Sequence, residues 1–154
     1  MITGAVNPSG RLPVSLPRAA GAQPYSYSQP ILGGPSEVTS TDPTPVRPFG
    51  FGLSYTSFAY SGLAVDAEVV AGGSFAAEVT VTNTGQRAGA EVLQLYGRDL
   101  QASVVRPVVQ LLGYARVALA PGESRRVRFE VPTTRLAFTG RQGLRIVEPG
   151  RVEV

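Results

Sequence analysis

The chain contains no cysteine, no histidine and no tryptophan in its 154 residues, and all 14 of its basic residues are arginine. Without Cys or His there is no zinc cluster of ordinary ligand spacing, no thiol nucleophile, no Ser-His-Asp triad and no imidazole to carry a proton. Carboxylates, Arg, Tyr and hydroxyls are what remains for chemistry. A chain without thiols is compatible with either redox compartment. No run of about 18 apolar residues occurs, so no transmembrane helix and no membrane partner are expected. The stretch Met1 to Val6 is followed at once by Asn7-Pro8 and lacks the basic head and apolar core of a signal peptide.

Charge is scarce as well, with 14 basic residues against 11 acidic ones and a net charge of +3. The pI of 9.7 resembles that of a nucleic-acid binder. It arises because no Lys, His or Cys titrates between the carboxylates and Tyr, so the small positive charge persists until the phenols ionise near pH ~10. A field this weak, with no basic stripe, argues against a nucleic-acid partner.

What the chain does have is length for a core, since a chain of this size hides roughly 70% of its unfolded surface, and an uneven distribution of proline. Nine of the 13 prolines (8, 13, 17, 24, 30, 35, 43, 45 and 48) fall in the first 48 residues. Pro lacks the amide donor and restricts the residue before it, so this part forms neither helix nor central strand. It reads as an extended arm with turns, most polar from Ser36 to Thr44, lying on something larger.

From about residue 58 the pattern changes to short runs between turn signals. Ser74 to Thr82 places Phe75, Ala77, Val79 and Val81 on one face and Ala76, Glu78, Thr80 and Thr82 on the other, which is a half-buried strand. Gly72-Gly73 before it and Asn83-Thr84-Gly85 after it supply turn chemistry. Glu91 to Arg98 is apolar on both faces, as expected of a strand covered on both sides, and Gln110 to Leu119 reads similarly. After Pro121-Gly122, Val127, Phe129 and Val131 alternate with Arg126, Arg128 and Glu130. Short runs around Leu136 to Phe138, Leu144 to Val147 and Arg151 to Val154 follow. With Tyr60 to Val69 as the first, this predicts an all-β fold, an antiparallel immunoglobulin- or fibronectin III-like sandwich of about seven strands without helices, preceded by the Pro-rich arm. The missing Cys pair and Trp favour the fibronectin-like variant.

Local motifs offer little chemistry. Gly50-Phe51-Gly52 would place the third glycine of a dinucleotide fingerprint at Tyr55, outside any strand-turn-helix context. Gly52-Leu53-Ser54-Tyr55 lacks the second glycine of a nucleophile elbow, and Pro8 spoils Asn7-Pro8-Ser9 as a glycosylation acceptor. Arg125, Arg126 and Arg128 read as a solvated strand face, with no interleaved aromatics for a phosphate site. Paired carboxylates could work without His, and a retaining glycosidase needs two of them about 5–5.5 Å apart. Glu91 and Asp99 share a strand face but lie roughly 26 Å apart at about 3.3 Å per residue. Asp66 and Glu68 sit close, on a strand whose Leu63, Val65 and Val69 look like core. From chemistry alone the chain is a sandwich with a long arm and no self-contained active site.

Three stretches carry a resemblance. They are Asn7-Pro8-Ser9-Gly10-Arg11-Leu12-Pro13-Val14-Ser15-Leu16-Pro17, then Arg47-Pro48-Phe49-Gly50-Phe51-Gly52-Leu53-Ser54-Tyr55-Thr56-Ser57-Phe58, and finally Gly89 to Tyr96 continuing through Arg106-Pro107 and Leu111-Leu112-Gly113-Tyr114 to Leu119-Ala120-Pro121-Gly122-Glu123. In this order and spacing they closely resemble the C-terminal portion of glycoside hydrolase family 3, the bacterial and fungal β-glucosidases and β-xylosidases. The resemblance covers essentially the whole chain.

It implies that residues 1–18 are the tail end of an α/β sandwich, that 19–57 are a connecting arm packed across it, and that 58–154 are a fibronectin type III-like domain. The partners it implies are an upstream (β/α)₈ barrel with the nucleophilic Asp and an α/β sandwich that usually carries the Glu acid/base. No catalytic residue, cofactor or metal ligand is then expected here, and carbohydrate would be met only through those domains. Asn7, Pro8, Arg11, Pro13, Arg47, Phe49, Phe51, Tyr55 and Phe58 become candidates for domain packing. The implied role is accessory, in a retaining enzyme acting on β-glucosides or β-xylosides, with no activity in the isolated chain. Family members usually extend a few residues past the position of Val154, and commonly carry a β-branched residue at Gly97 and Pro at Leu100. Freed of its partners, the arm (1–57) is expected to be mobile. A second reading, a stand-alone carbohydrate-binding or protein-interaction module, is weakened by the lack of Trp for sugar stacking.

Overall fold

Alternating apolar and polar residues build two facing sheets in the computed structural model, which describes residues 1–22, 25–35, 37–38, 40 and 42–154. Among the described residues the strands are β1 (Phe58–Val65), β2 (Ser74–Asn83), β3 (Gly89–Asp99), β4 (Gln110–Leu119), β5 (Ser124–Pro132), β6 (Phe138–Thr139), β7 (Arg145–Ile146) and β8 (Val152–Glu153). One sheet has the order β1-β2-β5 and the other β4-β3-β8, while β6 and β7 form a separate ribbon. All pairings are antiparallel. Helical structure is limited to short 3₁₀ turns at Ala20–Ala22, Ile31–Gly33 and Thr133–Leu136. The fold is the expected all-β, fibronectin III-like sandwich.

The core lies where the predicted inward faces meet. Phe75, Ala77 and Val81 of β2, Leu93 and Leu95 of β3, Leu112, Val117 and Leu119 of β4, and Phe129 and Val131 of β5 are all buried together. Each large apolar side chain moved out of water contributes about 1.5–3 kcal/mol. Asn83 is fully buried among them, so its polar atoms need partners inside. Its Nδ2 donates to Arg87 O (2.7 Å) and Leu119 O (3.2 Å), and its Oδ1 accepts from Thr56 Oγ1 (2.7 Å) and Gly85 N (3.1 Å). This one side chain ties the ends of β2 and β4, and the connection from β2 to β3, to the arm.

The first strand departs from its expected form. It starts at Phe58 and ends at Val65, and Leu63, Val65 and Val69 are 56%, 38% and 41% exposed rather than core. β1 is the edge of its sheet, and its pairing with β2 shifts register between Ser61 and Ala64. Gly62, at φ +63°, supplies the left-handed residue of that bulge. Past Val65 the chain turns, Asp66 N donates to Ala76 O, and Ala76 N donates to Asp66 Oδ2 (2.7 Å). Asp66 thus closes a turn and buries Ala76, which alternation had placed outside.

Candidate functional site

The Pro-rich arm does not extend away from the sandwich. Two of its stretches pair with each other: Leu16 N donates to Arg47 O (2.8 Å), Val46 N to Leu16 O (2.9 Å), Gly50 N to Leu12 O (2.8 Å) and Leu12 N to Phe51 O (2.9 Å). Phe49 N adds a bond to Ser15 Oγ (3.0 Å). This ribbon lies over the outward side of β3, where Gln94 Nε2 donates to Gly50 O (3.1 Å). The arm therefore supplies the second cover that the double-sided apolar pattern of β3 demands. The polar segment from Ser36 to Thr44 includes Ser36, Thr39 and Thr41, which lie outside the described residues.

A charged latch holds the ribbon down. Arg11 donates through Nη2 to Glu91 Oε1 and through Nη1 to Gly52 O (3.2 Å). The Glu91 side chain is only 5% exposed, and its Oε1 also accepts from Val92 N (2.8 Å). A carboxylate so placed must be paired, because an isolated buried charge costs several kcal/mol. Tyr60 on β1 stands beside the pair. Its phenol is pushed up to about 12, first by burial of part of the ring and then by the Glu91 charge, offset in part by Arg11. Arg11 and Glu91 thus join the arm to β3, beside Tyr60 of β1.

The other packing candidates are placed as follows. Asn7 is a clamp: its Nδ2 donates to Ala88 O (3.1 Å), and its Oδ1 accepts from Ser54 Oγ (3.0 Å) and Tyr55 N (2.8 Å). Pro8 beside it is half-buried, and Pro13 is exposed. The Arg47 guanidinium sits over the Phe51 ring, 4.9 Å from its centroid. Phe49 stacks on Tyr27 with centroids 4.1 Å apart, and the Tyr27 hydroxyl accepts from Leu111 N (3.4 Å). Tyr55 is half exposed, donating to Met1 O (3.0 Å) under the Arg87 guanidinium. Phe58 packs against the core. Arg11, Phe49 and Phe51 come together over β3, while Asn7, Tyr55 and Phe58 gather at its start.

Four other carboxylates, Glu78, Glu123, Glu148 and Asp99, are held in bonds or ion pairs of their own. Glu78 takes both Arg126 Nη2 (2.7 Å) and Arg128 Nη1 (2.8 Å), and these bonds hold its pKa below the ordinary value. Glu123 bonds Ala120 N and Arg125, and Glu148 bonds Ser103 through hydroxyl and amide, each with a lowered pKa. Asp99 faces Arg106 (3.7 Å), a well-buried arginine that also covers the Phe138 ring at 4.4 Å and donates to Leu136 O (2.8 Å). Residue spacing gave no sign of the Asp99–Arg106 contact, which a loop creates. The basic strand face is accordingly a set of ion pairs, and no cluster of acids suited to a metal ion occurs among the described residues.

Residues 91–154 match the family described as the fibronectin type III-like domain. The chain is 41% identical over 154 residues to a beta-xylosidase of Formosa agariphila, covering 97% of this chain and 21% of the relative. To the periplasmic beta-glucosidase of Salmonella typhimurium it is 39% identical over 165 residues, covering 100% of this chain and 22% of the relative. The crystal structure of a beta-glucosidase from Listeria innocua in complex with glucose superposes with a TM-score of 0.91 at 34% identity, over 98% of this chain and 22% of that one. The chain thus spans about a fifth of the length of the relatives it matches.

Proposed function

We propose that this chain, which belongs to glycoside hydrolase family 3 and carries that family's fibronectin type III-like domain, is an accessory brace of a retaining β-glycosidase acting on β-glucosides or β-xylosides, and is inactive by itself. The observation that carries this reading is that the chain aligns along nearly its whole length with a minor part of much longer enzymes. The chemistry agrees. A retaining mechanism needs two free carboxylates about 5–5.5 Å apart, whereas the one buried carboxylate here, Glu91, is committed to Arg11.

The partner surfaces in this reading are an upstream (β/α)₈ barrel and an α/β sandwich. Residues 1–18 would complete the α/β sandwich, 19–57 would run across it, and 58–154 would stand as the fibronectin-like domain. The arm turns apolar side chains outward on the side away from β3, with Val14 58%, Val46 46% and Leu53 70% exposed. Such side chains on a folded segment suit burial against a larger body. The exposed Tyr114 stands alone on β4 at 73%, which is a poor platform for stacking sugars and leaves the binding-module reading without support.

Assay of the purified chain on aryl β-glucoside and aryl β-xyloside tests the proposal. No turnover is expected. Turnover that a single Asp or Glu substitution abolishes would overturn it.

A further inference from the structure

We propose that the outer edge of β5 is a self-association surface, along which a second copy of this chain adds its own β5, antiparallel, about a two-fold axis at Arg128. β5 is a border of the β1-β2-β5 sheet and pairs with β2 from Ser124 to Pro132 without a shift in register. The bonds from Asn83 N to Glu123 O and from Thr133 N to Gly73 O, both 2.9 Å, fix the phase of that ladder. Odd-numbered residues of β5 bond β2, so the amides and carbonyls of Arg126, Arg128 and Glu130 point to the free side. No described residue bonds them there. Both ends of β5 are tied inside the domain, by the turn in which Glu123 N donates to Ala120 O and by the Thr133 bond. The open side therefore follows from the order of strands in the sheet, in the middle of the chain.

Charge identifies the occupant. Arg126, Arg128 and Glu130 follow one another at alternate positions on the outward face of β5, and all three are exposed. Glu78 on β2 takes both arginines, at 2.7 and 2.8 Å. Glu130 lies opposite Ala76 and makes no hydrogen bond or ion pair among the described residues. A two-fold axis at Arg128 sets Arg126 directly opposite Glu130 of the second copy, and does so twice. Directly opposed side chains of an antiparallel pair stand about 4.5–5.5 Å apart at Cβ, within reach of an ion pair. Arg128 then faces its own counterpart, each already held by its own Glu78. An axis at Val127 would oppose Arg126 to Arg128, and one at Phe129 would set Arg126 against Pro132 and shorten the ladder. Pro132, whose missing N–H falls on the free side, ends the pairing opposite Ser124. The face is thus complementary to itself in one register, which a second copy of this chain supplies.

The test is sedimentation of the intact chain at concentrations up to about 1 mM. A monomer–dimer equilibrium is expected. Amide exchange at Arg126, Arg128 and Glu130 should slow as concentration rises, with Val127 and Phe129, already bonded to β2, changing little. Glu130→Arg and Arg126→Glu, each alone, set like charges opposite one another at two places and should weaken the dimer about tenfold or more. Mixed in equal amounts, the two variants oppose unlike charges at both places, and they should form a one-to-one heterodimer about as tight as the wild-type dimer. Both side chains are exposed, and melting temperature in dilute solution checks that each variant is folded. The proposal is overturned if the wild-type chain stays monomeric throughout, if neither variant weakens the dimer, or if the mixture of variants stays monomeric.

Discussion

Arg11 and Glu91 lie 80 positions apart in the chain, yet they form the ion pair that fixes the arm to β3, with the Glu91 side chain 5% exposed and the Arg11 side chain 27% exposed. Its energetic meaning is asymmetric. Forming such a pair adds little over an apolar contact, but removing one partner strands the other's charge.

Arg11→Ala should therefore cost about 3 kcal/mol in denaturant unfolding. Glu91→Gln should cost less, because the Arg11 charge it strands is the more exposed of the two and the amide oxygen can still accept from it. The double variant should fall well short of the sum of the two, as partners in one network do. Additive costs would mean that the pair is not coupled.

The arm's backbone bonds predict its exchange behaviour. Amides of Leu12, Leu16, Val46 and Gly50 donate within the ribbon and should be protected well above unfolded-chain rates in the isolated protein. Exchange at these four sites as fast as in an unfolded peptide would restore the expectation of a wholly mobile arm.

Asn83→Ala removes a side chain that serves four partners in a fully buried position. Thermal or urea unfolding should show a loss of about 3 kcal/mol, the cost of leaving more than one buried group unsatisfied. A loss below about 1 kcal/mol would show that water replaces those bonds.

Gly97 makes room for a core side chain: a Cβ there would sit 2.5 Å from Leu112 Cδ1, and Leu112 is 3% exposed. Gly97→Val should destabilise by about 1–3 kcal/mol through overpacking. Pairing it with Leu112→Ala should cost less than the two separate losses added together, whereas simple additivity would refute the steric account.

Alkaline titration reports on Tyr60. Its folded-state pKa of about 12 lies above the ordinary 10, so the fold binds the phenolic proton more tightly than the unfolded chain does. That stabilisation is complete below pH 10 and is lost as pH rises through 12. Melting temperature should fall less steeply over this window in Tyr60→Phe, with Tyr96, also raised by burial, supplying the remaining slope. Identical profiles would contradict a raised Tyr60 pKa in the fold.

Much of the sandwich was legible in the sequence because strands announce themselves by a period of two. The faces of β2 and β5 follow from Phe75 to Val81 and from Val127 to Val131, since each side chain's environment is set by its own strand. The edge strand was not legible: Leu63 and Val65 are apolar, and nothing local says that no second layer covers them. The latch was invisible for a different reason. Glu91 looks like any outward carboxylate until Arg11 arrives from the far end of the chain, and only the family pattern, not the spacing, marked Arg11. The rings of Tyr27 and Phe49 stack on each other, and the Tyr27 hydroxyl reaches β4, a pairing that no local pattern announces. Gly97 and Leu100, which depart from the family pattern, have local reasons: Gly97 spares Leu112, and the Leu100 amide donates to Arg151 O (3.2 Å), a bond Pro could not make.

The bulge at Gly62 has a consequence for how this protein meets its own kind. A sheet grows without limit only when both of its borders are straight and unpaired, so that each newcomer exposes a fresh template. Here β1, one border of the β1-β2-β5 sheet, is kinked in mid-strand and cannot serve as such a border. That sheet can accordingly add a neighbour only along β5, because one glycine denies it the second side.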